Sequence, residues 1–93
     1  MMTSDEIKAA ILAGAADPMW AGRAVSMVEA MDGTGIDYDS QNLLDEMIAS
    51  KAAHPQLGAF LATLPGFGSG DLAEAEKQLN FLTMQVRAVT RAN

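Results

Sequence analysis

The chain reads as an all-α protein, a small bundle of about five helices with a long C-terminal helix. Three observations predict this. Apolar residues recur at steps of three and four, which lines them along one face of a helix. Cap and break signals (Thr3, Asp17-Pro18, Asp32-Gly33, His54-Pro55, Pro65-Gly66) divide that pattern into helix-sized pieces. No segment sustains the strict alternation of a half-buried strand.

Taken in order, Thr3-Ser4-Asp5-Glu6 has the form of a capping box, with acids where a helix dipole favours negative charge. The first helix is expected to run to about Ala16, with Ile7, Ala10, Ile11 and Ala15 on one side and Gly14 weakening its end. Asp17 caps a second helix and Pro18 takes its first position, where a missing N–H costs nothing. That helix reaches about Met31 and carries Trp20, Ala24, Met27, Val28 and Met31 at helical spacing. Beyond the break at Asp32-Gly33-Thr34-Gly35, Asp39 or Ser40 is expected to cap a third helix with Leu43, Leu44, Met47 and Ile48 inside. His54-Pro55 opens a short fourth helix carrying Leu57, Phe60, Leu61 and Leu64. The segment Pro65-Gly66-Phe67-Gly68-Ser69-Gly70 is expected to be the most flexible loop. Asp71 or Ser69 then caps the last helix, which runs to about Arg91 and is expected to be the spine of the packing.

Residues 1–93 are enough for a single helical domain with one core. Alanine-rich apolar content packs helices closely but buries little area per residue, which leaves room for a second copy of the chain to add stability. There is no cysteine, so disulfides, thiolate nucleophiles and Cys-based zinc sites are excluded. No run approaches the ~18 apolar residues of a membrane span, and the first residues lack the pattern of a secretion signal. The expectation is therefore a cytoplasmic protein with no membrane contact. Net charge is −6, with nine acids against Lys8 and Arg23 in residues 1–50. Direct nucleic-acid binding is disfavoured, because phosphate affinity needs clustered Lys and Arg.

Several motifs suggest chemistry and then fail on a required position. Residues 32–39, Asp-Gly-Thr-Gly-Ile-Asp-Tyr-Asp, invite comparison with a calcium loop. Placing Gly35 at the obligatory glycine puts Ala30 at the first ligand and Gln41 at the last. The glycine-rich loop before the last helix lacks the lysine of a phosphate-binding loop and has Asp71 in its place. His54 is the sole histidine, with no evident carboxylate or nucleophile to work with. The paired acids Asp5/Glu6 and Asp45/Glu46 are adjacent, so they point about 100° apart on a helix. No catalytic residue, metal site or cofactor is implied.

What remains is binding. Leu72, Ala75, Leu79, Leu82, Val86 and Val89 form a heptad seam in the last helix, either the spine of the monomer's own bundle or a surface shared with a second chain. Phe81 and Met84 lie beside or outside that seam, and Phe67 sits between glycines, either tucked back on the core or left out as an anchor. Seven methionines suit either gap-filling in a core or adaptable recognition of partner helices. The leading expectation is a non-enzymatic protein–protein interaction module (an assembly, adaptor or regulatory protein, homo-oligomeric or with another protein). Phe67, Phe81 and Met84 are its candidate anchors, with Arg87 and Arg91 setting orientation. The rival is an acidic decoy that occupies a basic, nucleic-acid-binding surface of another protein through Asp32, Asp37, Asp39, Asp45 and Glu46. A small metal-binding or catalytic domain is the third and weakest reading.

Overall fold

Three of the helices begin where a side chain satisfies a free N–H group. The computed structural model describes residues 1–91, except the side chain of Ala15, so the inward position expected for that side chain lies outside the description. The elements are α1 (Ser4–Ala10), a π-helical turn (Ile11–Ala15), α2 (Pro18–Met31), α3 (Leu43–Ser50), α4 (Pro55–Thr63) and α5 (Leu72–Arg91). No strand occurs among the described residues. The capping box is formed in both directions: Glu6 N–H donates to Thr3 Oγ1 at 3.2 Å and Thr3 N–H donates to Glu6 Oε1 at 3.0 Å. Asp17 caps α2 by accepting from Met19 N–H at 2.9 Å, and Asp71, rather than Ser69, caps α5 by accepting from Glu74 N–H at 3.1 Å.

Two boundaries and one loop differ from expectation. The first helix does not continue regularly to Ala16. It loosens into the π-helical turn, where Gly14 takes φ 93°, the left-handed conformation that ends helices, and Ala16 is already extended. The third helix begins at Leu43 with Asn42 before it, not after Asp39 or Ser40. Asp37 Oδ1 accepts from Asp39 N–H at 2.9 Å and Ser40 Oγ accepts from Asn42 N–H at 3.2 Å, so these side chains hold a turn instead of starting a helix. The glycine-rich loop is a closely bonded series of turns: Phe67 N–H donates to Leu64 O, Gly70 N–H to Phe67 O and Asp71 N–H to Gly66 O at 2.8 Å. Gly66 is required there. Its φ is 92°, and a Cβ would lie 2.7 Å from Asp71 O and 2.9 Å from Ala75 N.

The hub of the packing is α2 rather than α5, because α2 touches α1, the π-helical turn, α4 and α5. Its pairing with α5 is antiparallel. Asp17 N–H donates to Gln85 Oε1 at 2.9 Å, Trp20 stacks on Phe81 with centroids 5.2 Å apart, and Arg23 Nη1 donates to Gln78 Oε1 at 3.2 Å. One cluster of buried side chains unites all the helices, with Met27, Met47, Leu57, Leu61, Leu79 and Leu82 at its centre. Burying one such side chain is worth roughly 1.5–3 kcal/mol, so this cluster carries the fold. The one buried polar residue among those described, Thr83, donates its hydroxyl to Leu79 O at 2.8 Å within its own helix.

Candidate functional site

The α5 helix has two apolar stripes. Ala75, Leu79, Leu82, Val86 and Val89 are each no more than 1% exposed, so the heptad seam is closed inside the monomer. Leu72, the first member expected of that seam, is 48% exposed and stands outside it. Moving these five buried seam positions forward by two residues gives Lys77, Phe81, Met84, Ala88 and Arg91, and the same step from Leu72 gives Glu74. Two residues turn a helix by about 200°, so this second set points away from the core. Among these residues Phe81 is 36% and Met84 57% exposed, and Lys77, Ala88 and Arg91 are exposed as well. The steps of the outer stripe repeat those of the inner one.

Phe81 is half supported. One face lies on Trp20 with an interplanar angle of 27°, and the Arg23 guanidinium stands 5.2 Å from the Trp20 ring on α2. Arg23 Nη2 is buried without a hydrogen-bond acceptor, so the attraction between cation and ring compensates part of that group's desolvation. This layer holds the Phe81 ring and leaves about a third of it, and more than half of Met84, to solvent.

The other candidate residues are distributed differently. Phe67 is tucked, half-buried against the core, with Lys51 Nζ 5.6 Å above its ring. Arg87 and Arg91 are drawn to the chain's own loop. Arg87 Nε donates to Asp39 Oδ1 at 2.6 Å, and Arg91 Nη2 lies 3.7 Å from the same oxygen. These arginines belong to one reading of the sequence and Asp39 to its rival, yet the fold pairs them with each other. Asp32 accepts from Ser4 Oγ at 2.9 Å and Asp37 accepts from Asp39 N–H, so three of the five candidate acids serve local structure. Asp45 and Glu46 are exposed in the first turn of α3 and make no side-chain hydrogen bond among the described residues.

A cavity of about 400 Å³ opens beside the Asp39–Arg87 pair, lined by Met2, Ile7, Asp37, Tyr38 and Thr90 together with Met1 and the pair itself. Burial, with a smaller contribution from Asp32, pushes the Tyr38 phenol up to about 12. Glu6 is held below the usual carboxylate range by the Thr3 backbone N–H and then by the Thr3 hydroxyl. His54 is half-buried just before α4, where its carbonyl accepts from Leu57 N–H at 2.9 Å. Among the described residues, no group of three or more His, Asp or Glu could hold a metal ion, and no helix is long and apolar enough to cross a membrane.

Sequence reasoning singled out Phe81 and Met84 but missed Trp20, Lys77 and Ala88 as their neighbours. The signal for Lys77 and Ala88 was present, since the heptad steps can be read again two residues later. The Trp20 contact joins residues far apart in the chain and left no local trace. No protein family model, curated protein or solved structure matches the chain.

Proposed function

We propose that this protein is a non-enzymatic protein-binding module whose contact surface is the outer stripe of α5, with Phe81 and Met84 as its apolar centre. The observation that carries the reading is the exposure of these two large side chains on a helix whose inner seam is already closed. An exposed aromatic held by a stacked neighbour is also pre-ordered, which lowers the entropy lost on binding. Phe67 has no part in this surface, because it covers the core.

Affinity capture from the native cell, run side by side with the natural chain and a Phe81→Ala/Met84→Ala variant of matched helicity, tests the reading. A protein retained by the natural chain and lost by the variant supports it. Identical captured sets overturn it. The acidic-decoy alternative draws less support, since Asp39, Asp32 and Asp37 are engaged within the fold and only Asp45 and Glu46 stand free among the five candidate acids.

A further inference from the structure

The outer stripe carries charges at its ends as well as an apolar centre. From one end of α5 to the other it reads Glu74, Lys77, Phe81, Met84, Ala88 and Arg91, in alternating steps of three and four residues. The order of those steps is the same in both directions, so the stripe is symmetric about the point midway between Phe81 and Met84. A second copy laid antiparallel about that point sets every stripe residue opposite another stripe residue. Glu74 meets Arg91, Lys77 meets Ala88 and Phe81 meets Met84, and the two-fold symmetry makes each pairing occur twice. A seam between two facing helices needs this match along its whole length.

The chemistry matches as the spacing does. A carboxylate faces a guanidinium at both ends of a seam about 26 Å long. In the middle a thioether faces an aromatic ring, a favourable contact. Ala88 leaves room for the aliphatic stem of Lys77, whose ammonium extends to water. The end groups have capacity left for these pairings. Glu74 accepts from Gln78 Nε2 at 2.8 Å through Oε1 alone, and its other oxygen has no partner among the described residues. Arg91 reaches Asp39 only at 3.7 Å, and its side chain is 71% exposed. A parallel copy opposes Glu74 to Glu74, Lys77 to Lys77 and Arg91 to Arg91, and like charges so placed suppress that arrangement.

Building on the function proposed above, we infer that the occupant of the stripe is a second copy of this chain, docked antiparallel along α5. Glu74 of each copy lies on Arg91 of the other, and Phe81 of each lies on Met84 of the other. The same patch serves both copies, so the contact closes on itself and leaves no open end for a third. It is one helix wide, at the small end of protein interfaces, so the dimer dissociates on dilution.

Sedimentation of the full chain over a dilution series, from millimolar to sub-micromolar, tests this. The natural chain is expected to pass from dimer to monomer. Glu74→Arg alone and Arg91→Glu alone each set like charges opposite at both ends, and each should weaken the dimer roughly tenfold or more. Mixing those two variants restores opposite charges, as does Glu74→Arg/Arg91→Glu in one chain, so both should recover the dimer. Urea midpoints of the single variants, and recovery in the mixture, separate a lost contact from a lost fold. The chain has no cysteine, so introduced thiols report orientation. On oxidation, Lys77→Cys chains should couple to Ala88→Cys chains and not to each other. A natural chain that stays monomeric at millimolar concentration, a dimer indifferent to both single exchanges, or Lys77→Cys chains that couple to each other would each overturn the inference. A monomer that still captures another protein through Phe81 and Met84 would leave the binding function standing and remove only the second copy. A monomer whose captured set ignores Phe81→Ala/Met84→Ala would remove both.

Discussion

The two stripes of α5 share one helix and one spacing, yet they meet opposite surroundings. Ala75, Leu79, Leu82, Val86 and Val89 are buried against the other helices, whereas Lys77, Phe81, Met84, Ala88 and Arg91 face water. Periodicity therefore identifies a helix and its apolar faces but does not say which face the rest of the chain covers. Composition separates them here: the covered stripe is wholly aliphatic, and the open one mixes an aromatic, a methionine and two cations. Trp, Tyr, Phe, Met and Arg are enriched where proteins meet each other, while aliphatic side chains fill interiors.

The contrast can be broken or sharpened by substitution. The largest effect is expected from Leu82→Ala, which should cost about 2–5 kcal/mol in urea unfolding because a fully buried side chain is lost and its cavity only partly collapses. A cost under about 1 kcal/mol would mean that the inner seam is not the packed face. Next comes Gly66→Ala, expected to cost roughly 2–4 kcal/mol from left-handed strain plus overlap with the start of α5. Gly14→Ala, at φ 93° but with open space around it, should cost only the strain, about 1–2 kcal/mol. Similar losses at the two glycines would show that the loop before α5 is not closed as described. Phe81→Ala sits between the two stripes in effect. It removes the Trp20 stack and should cost about 0.5–1.5 kcal/mol, visible both in the urea midpoint and in Trp20 emission.

Acidity and alkalinity touch regions away from both stripes. The folded Tyr38 phenol titrates at about 12, above its ordinary 10.0, so burial favours the neutral form. Its contribution to stability is fully present below pH 10 and is lost as pH rises through 12. Phenolate absorbance of the single tyrosine should therefore appear near pH 12 in the folded chain and near pH 10 in urea, and Tyr38→Phe should weaken the alkaline loss of stability. A folded titration near 10 would place the phenol in solvent. Glu6 has the opposite sign: its contribution is present above its unfolded value of 4.5 and disappears as pH falls through the lower folded value.

Much of the fold was legible because its signals are local. The caps at Thr3, Asp17 and Asp71 act within three residues of themselves, and each formed as the sequence implied. The start of α3 was misplaced because Asp39 and Ser40 can serve other partners than a helix N-terminus, and here Ser40 holds a turn while Asp39 binds Arg87. The candidate site was harder to read, because what decides it spans the chain. Asp39 reaches Arg87 across 48 positions, and Trp20 comes from a different helix to support Phe81. Nothing within one segment could show that Arg87 would be held by the chain's own loop or that Phe67 would be tucked.

Met84→Glu tests the separation of the stripes most directly, through partner capture measured at matched helicity and urea midpoint. With Met84 57% exposed, stability should stay within about 0.5 kcal/mol of the natural chain while capture is lost. A variant that unfolds, or one that stays folded and captures its partner as well as before, would contradict the division of α5 into a face that holds the fold and a face that binds.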